Sequence, residues 1–253
     1  MHTRFDAKVA LVTGGGSGVG RSTAIAFARA GATVVVAGRN ESSLIQTVKH
    51  IHRFGGDASW LIADVTQDND VAAMIKTVIA RHQRLDIAFN NAGILGPPAP
   101  IADIDSDTWD SVLNTNLTGV WRSMKYEIRH MRHNGGGSII NTASNIGAHQ
   151  RIPSLGGYAV SKAAVSVLTR AAARDHIADG IRINSISPGP IDTTMSLLPG
   201  EDDRDRSRRM RQLLPIGRVG ALDEVAAAVL WLASDSSGFT VGHDLVLDGG
   251  ATA

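Results

Sequence analysis

Val9-Ala10-Leu11-Val12-Thr13-Gly14-Gly15-Gly16-Ser17-Gly18-Val19-Gly20 is the stretch that decides the fold. Four consecutive apolar residues, Val9 to Val12, mark a short strand buried on both faces. A glycine cluster follows, and a helical pattern covers 18–30 until Gly31 stops it. Strand, glycine-rich turn and helix in that order form the context a dinucleotide fingerprint requires. Glycines let the backbone approach a pyrophosphate, and the helix N-terminus offers free N–H groups and a positive dipole end. A Gly-rich turn without a ligand has the same composition, so both readings stand here.

Outward from this turn, strand and helix alternate. Strands are predicted at 33–37, 58–63, 85–89, 138–141, 181–186 and 245–247. Helices are predicted at 41–54, 68–82 with Asp68 as cap, 107–133, 158–179 and 222–233. The segment 94–104, with three prolines, is a loop, and Pro188-Gly189-Pro190 opens an irregular stretch to Gly220. No linker-like shift in composition divides the chain. The alternation predicts one α/β domain whose parallel sheet is covered on both faces.

Hydrophobic residues make up 43% of the chain and charged ones 19%, the balance of a soluble globular protein. The net charge of +1 points to neither nucleic acid nor an anionic membrane as partner. Cysteine is absent, which excludes disulfides and thiolate chemistry and fits a reducing compartment. No metal site is expected. Residues 1–8 are short and polar with no signal-peptide pattern, and no apolar run reaches 18 residues. A cytoplasmic protein is the expectation.

Tyr158-Ala159-Val160-Ser161-Lys162 leads into a helical run free of Gly and Pro, which places Tyr158 in a first turn. Residues four apart share a helix face, about 6 Å apart along the axis. A phenol titrates near ~10, and a nearby positive charge favours its ionised form. A tyrosine so placed suits general acid or base work. Many surface helices carry the same pair, so the pair alone assigns no chemistry.

Taken together, these elements resemble the short-chain dehydrogenase/reductase family over nearly the whole chain. Gly14, Gly18 and Gly20 have that family's glycine spacing. Asp64-Val65 matches its adenine-contacting pair, and Asn90-Asn91-Ala92-Gly93 its N-N-A-G element. Asn116, within Asn114-Thr115-Asn116-Leu117-Thr118-Gly119, matches its catalytic asparagine. Ser144 matches its catalytic serine, and Tyr158 with Lys162 its Y-x-x-x-K. Pro188-Gly189, with Ile191 and Thr193, matches the segment holding the nicotinamide carboxamide, and Asp248-Gly249-Gly250 the usual tail.

The resemblance implies a single doubly wound (Rossmann) domain over 1–253, with a seven-stranded, mostly parallel sheet and a mobile substrate flap at about 190–215. It implies NAD(P)-dependent hydride transfer between nicotinamide and a secondary alcohol, ketone or oxoacyl substrate. Tyr158 would be the general acid or base, and Ser144 would bind the substrate oxygen. Lys162 would lower the tyrosine pKa and hold the ribose, and Asn116 would position a water. Gly14, Ser17, Gly18, Val19, Gly20, Asn91, Ala92 and Gly93 would line the cofactor. NADP(H) is preferred, with NAD(H) possible: Gly38 stands where an NAD-specific site places a carboxylate, and Arg39 follows it. Against this, Ser17 replaces the second basic residue of many NADP-dependent relatives. The alternative is a nicotinamide-binding regulator without turnover.

The family also implies a homo-oligomer, a tetramer, through helices 107–133 and 158–179. Val165, Leu168 and Ala172 suit either a partner or their own sheet. Arg204, Arg206, Arg208, Arg209 and Arg211, interleaved with acids, are expected to be solvated. His149 and Arg151 either touch substrate or are solvated.

Overall fold

The computed structural model describes residues 4–253. Residues 1–3, part of the N-terminal stretch read for a signal peptide, lie outside the described residues. Strand β1 (Val9–Thr13) and helix α1 (Gly18–Arg29) flank the glycine turn. Then come β2 (Thr33–Gly38), α2 (Glu41–His52), β3 (Ala58–Ile62), α3 (Asp68–His82) and β4 (Ile87–Asn90). They are followed by α4 (Ser106–Leu113), α5 (Gly119–Met131), β5 (Gly137–Thr142), α6 (Asn145–Ala148) and α7 (Gly156–His176). The chain ends with β6 (Ile181–Pro188), α8 (Asp203–Leu213), α9 (Leu222–Ala233) and β7 (Asp244–Leu247).

The strands form one seven-stranded sheet in the order β3-β2-β1-β4-β5-β6-β7. All six pairings are parallel, because every connection carries a helix back across the sheet. The expected mostly parallel sheet is therefore wholly parallel. Strand order reverses between β1 and β4, which opens a crevice beyond their carboxyl ends.

Alternate residues of β1 feed two cores. Ala10 and Val12 pack with Phe27, Val36, Ile51 and Val229, while Val9 and Leu11 pack with Val35, Val78, Ile139 and Ile183. Apolar layers on both faces explain the unbroken apolar strands. Phe27 is fully buried and meets the Phe5 ring edge-on at 5.3 Å. Burial of such a side chain stabilises by about 2–3 kcal/mol.

Four elements differ from the sequence expectation, the first being the short α6, which stands where none was expected. The helix predicted over 107–133 is α4 and α5 joined by a π turn at Asn114–Thr118. Asp105 caps α4, accepting from the Thr108 N–H at 2.8 Å. On α3 the capping position is Gln67, whose side chain makes no cap bond. Asp68 instead accepts from Tyr126 Oη (2.5 Å) and Lys125 Nζ (3.0 Å) on α5.

The stretch read as irregular contains α8, capped by Asp202, whose Oδ1 accepts from the N–H groups of Arg204 and Asp205 at 2.8 and 2.9 Å. Five arginines leave no apolar stripe to reveal this helix in the sequence. Nor are they all solvated: Arg206 is only 6% exposed and bonds Asp192 (2.6 Å), Asp203 (3.0 Å), Ser196 Oγ (3.0 Å) and the Thr193 carbonyl (3.2 Å). Val165 and Ala172 are buried in the core and Leu168 packs against it, so this face of α7 serves the chain's own sheet.

Candidate active site

The glycine turn opens onto the crevice. Gly14 has φ +66°, and a Cβ there would stand 2.8 Å from Asn91 Nδ2 and 3.0 Å from Ala92 Cα. Only glycine lets the turn lie so close to the loop after β4. Thr13 Oγ1 accepts from the N–H groups of Asn91 (3.0 Å) and Ala92 (3.3 Å), and Asn91 Nδ2 donates to the Thr13 carbonyl at 3.2 Å. Ser17 caps α1 without a side-chain cap bond, which leaves the first N–H groups of the helix without a side-chain acceptor. A Cβ on Gly18 would be 3.3 Å from Thr193 Cγ2, so the segment after β6 closes the other side. Val19 packs against the core behind the turn.

Sequence reasoning missed Arg21, for which no motif signals. Its guanidinium donates to the Gly16 carbonyl and to Thr47 Oγ1 (3.0 Å), fixing the turn to α2.

Tyr158 stands in the first turn of α7, as predicted. Lys162 Nζ lies 5.9 Å from the centre of its ring and donates to the Thr142 carbonyl at 2.7 Å. Lys162 is 3% exposed, and burial lowers its pKa to about 8. Burial raises the Tyr158 phenol above its ordinary value, with the neighbouring Ser144 hydroxyl working the other way. The expected lowering of the phenol by Lys162 is not met in this chain, because desolvation dominates.

Ser144 caps the short α6, its Oγ accepting from the Ile146 N–H at 3.1 Å. Gly147, at φ +138°, makes the close packing possible: a Cβ there would be 2.8 Å from both the Ala159 carbonyl and the Ala163 nitrogen. The Ser144 turn thus rests on α7 beside Tyr158 and Lys162. Asn116 is fully buried in the π turn. Its Oδ1 accepts from the Ile94 N–H and its Nδ2 donates to the Ile94 carbonyl, both at 2.8 Å, and Nδ2 also reaches Ser161 Oγ at 3.0 Å. The side chain that the sequence assigned to water positioning is therefore engaged with protein.

Gly93 marks where these groups converge. A Cβ there would be 3.2 Å from Asn116 Oδ1 and 3.4 Å from Lys162 Nζ. Pro188 ends β6, and Gly189 N–H donates to the Leu247 carbonyl at 2.9 Å, which ties this segment to the end of β7. Ile191 is buried, and Thr193 lies against Gly18 at the edge of the crevice. At the far end Arg39 is 67% exposed and 4.0 Å from Asp64, a contact too weak to occupy its guanidinium. Val65 is buried against Gly119. His149 donates to buried Asp244. Arg151 is exposed.

A doubly wound sheet with a glycine-lined crevice and a Tyr–Lys–Ser–Asn group at its carboxyl edge defines a dinucleotide-dependent oxidoreductase. The family model described as enoyl-(acyl carrier protein) reductase matches residues 14–252. The chain is 39% identical over 253 residues to cyclohexanol dehydrogenase of Acinetobacter sp. (strain SE19), covering 100% of this chain and 98% of the relative. It is 39% identical over 254 residues to cis-4-hydroxycyclohexanecarboxylate dehydrogenase of Sinomonas cyclohexanicum, covering 100% of both. The crystal structure of levodione reductase is similar with a TM-score of 0.94 at 33% identity, covering 98% of this chain and 99% of that one. The chain belongs to the short-chain dehydrogenase/reductase family, and its chemistry is NAD(P)-dependent oxidoreduction of alcohols and ketones. Nothing in these likenesses favours the regulator without turnover.

Proposed function

We propose that the protein interconverts a secondary alcohol on a six-membered alicyclic ring and its ketone. The convergence of Tyr158, Lys162, Asn116 and Gly93 at the carboxyl edge of the sheet carries the catalytic part. Two relatives named for hydroxyl-bearing cyclohexanes support the ring. The side chains beside Tyr158, among them Leu95, Pro97, Ile104, Trp109 and Leu155, are mainly apolar and carry no charge.

The nicotinamide, when bound, supplies or accepts the hydride. Gly14, Gly18, Gly20, Asn91 and Gly93 would line it, the glycines allowing the close packing of turn and loop, and Lys162, whose Nζ is 3.4 Å from a Cβ built on Gly93, would hold its ribose. Tyr158 passes the proton to or from the substrate oxygen, and the Ser144 hydroxyl bonds the same oxygen. A phenol raised by burial keeps its proton near neutrality, which suits donation to a carbonyl. Any water relay through Asn116 would use its main chain, since its amide is occupied.

Preference for NADP(H) rests on Arg39, exposed and free to meet a phosphate, beside Gly38, which carries no repelling carboxylate. A homo-oligomer, a tetramer, is supported by exposed Trp121 on α5 and Val160 and Val167 on α7. We place the enzyme in the cytoplasm; among the described residues no helix is long and apolar enough to cross a membrane.

Purified protein with a panel of cyclic and open-chain ketones and alcohols tests the function. Change in the reduced-nicotinamide absorbance with cyclic substrates is expected. Turnover confined to open-chain or acyl-thioester substrates would overturn the ring assignment.

A further inference from the structure

Asp244, the first residue of β7, is a buried carboxylate that the proposed chemistry does not use. Four side chains donate to it. Oδ1 accepts from Ser185 Oγ (2.9 Å) and Ser187 Oγ (2.7 Å), both on β6. Oδ2 accepts from Ser166 Oγ (2.7 Å) on α7 and from His149 Nε2 (3.0 Å) beyond α6. Three of these donors lie close in sequence to a group assigned above. Ser187 precedes Pro188-Gly189. Ser166 is one turn beyond Lys162, on the stripe Tyr158, Lys162, Ser166. His149 belongs to the turn that starts at Ser144.

That turn is held at both ends. Its own hydrogen bonds run from Gly147 N–H to the Gln150 carbonyl and from Gln150 N–H to the Asn145 carbonyl, both 2.8 Å. At the start, Ser144 accepts from the Ile146 N–H. His149, near its end, links it to the sheet through Asp244 at 3.0 Å, while at its start Ser144 Oγ donates to the Pro188 carbonyl at 3.5 Å and Asn145 Nδ2 to Asp248 at 3.4 Å, both longer bonds. A charged acceptor gives this link a fixed direction and shorter reach than a neutral one.

We propose that Asp244 is a positioning residue for the reaction: through His149 it holds the Ser144 turn in register with Tyr158, Lys162 and Pro188-Gly189. The proposal rests on the oxidoreductase reading above. It requires His149 to carry its proton on Nε2, because the carboxylate only accepts.

The test measures kcat, KM, cofactor Kd and melting temperature for His149→Ala, His149→Gln, Asp244→Asn and Ser185→Ala, with the cyclic substrate the wild type turns over best. His149→Ala should lower kcat by about tenfold or more, the scale set by slight misplacement of a catalytic group, with cofactor Kd nearly unchanged. His149→Gln, which restores an amide donor, should recover most of that loss, and Asp244→Asn should resemble His149→Ala. Ser185→Ala removes a donor without touching the turn, so it should lower melting temperature and leave kcat nearly unchanged. Nitrogen NMR of the wild type should show His149 as the Nε2–H tautomer.

Unchanged kcat in His149→Ala, or an equal loss in Ser185→Ala, would overturn the proposal, and so would an Nδ1–H tautomer. A wild type silent toward every substrate would instead sink the oxidoreductase reading, and the proposal with it.

Discussion

Asn116 pairs with both main-chain groups of Ile94, accepting from its N–H and donating to its carbonyl at 2.8 Å each. The residue thereby fixes the loop that carries Gly93 across the crevice. Asn116→Ala would leave both Ile94 groups without these partners. A stability loss of about 1–2 kcal/mol is expected, the cost of leaving part-buried polar groups unpaired. Cofactor affinity should fall with it. Urea unfolding and cofactor titration check both, and an unchanged midpoint would separate the loop from Asn116.

Tyr158→Phe should cut turnover by about 10² to 10⁴ while cofactor binding stays nearly intact. Because burial raises the phenol, alcohol oxidation should accelerate with rising pH as the ionised form is populated, and ketone reduction should slow. Initial rates in both directions across pH check this. A variant retaining more than about a tenth of wild-type turnover would remove Tyr158 as proton carrier.

Glu127, fully buried on α5, accepts from Asn90 Nδ2 at 3.0 Å, and burial raises its pKa to about 8 from 4.5. The folded state binds this proton more tightly than the unfolded chain does. Its contribution is therefore full below about 4.5 and is lost as pH rises through about 8, by up to about 1.4 kcal/mol per unit within that window. Lys162, lowered to about 8 from 10.5, acts oppositely, adding stability as pH rises between those values. Glu127→Gln should flatten the fall between about 4.5 and 8 and leave the protein more stable than the wild type at the upper end of that window. Denaturation midpoints against pH decide it; identical slopes for variant and wild type would refute the assignment.

Arg206 reaches from α8 to Asp192 and the Thr193 carbonyl, and Thr193 in turn abuts Gly18. Arg206→Ala should weaken cofactor binding by about tenfold, since a buried charged clamp holds the Thr193 segment. Arg206→Lys should rescue little, because an ammonium cannot span those acceptors as a planar fork does. Fluorescence titration of reduced nicotinamide measures both. Wild-type affinity in Arg206→Ala would show that α8 does not brace the cofactor segment.

Gly38→Asp is sterically admissible, as a Cβ there would meet only Leu44 Cδ2 at 3.6 Å. It places a carboxylate at the end of β2, which should repel a 2′-phosphate and shift preference toward NAD(H) by about tenfold or more. Parallel titrations of both cofactors test it, and an unchanged ratio would place the 2′-position away from Gly38 and Arg39.

The order of strands and helices was legible in the sequence because a parallel sheet covered on both faces demands continuous apolar runs such as Val9 to Val12. Glycines that break those runs were equally plain. Tyr158 and Lys162 could be paired from spacing alone, since helix geometry is local. The helix Asp203–Leu213 was not legible because its stabilising contacts are ionic, and periodicity detects only apolar faces.

By itself, then, the sequence determined what local geometry dictates: element order, the glycine turn, and the Tyr158–Lys162 stripe. Tertiary structure alone decided the rest. It set strand order, turned His149 inward to Asp244, and engaged Asn116 with Ile94. It also raised the Tyr158 phenol, where Lys162 had been expected to lower it. Each of these depends on residues far apart in the chain meeting where water is excluded. Desolvation and long-range hydrogen bonding leave no periodic mark on a sequence.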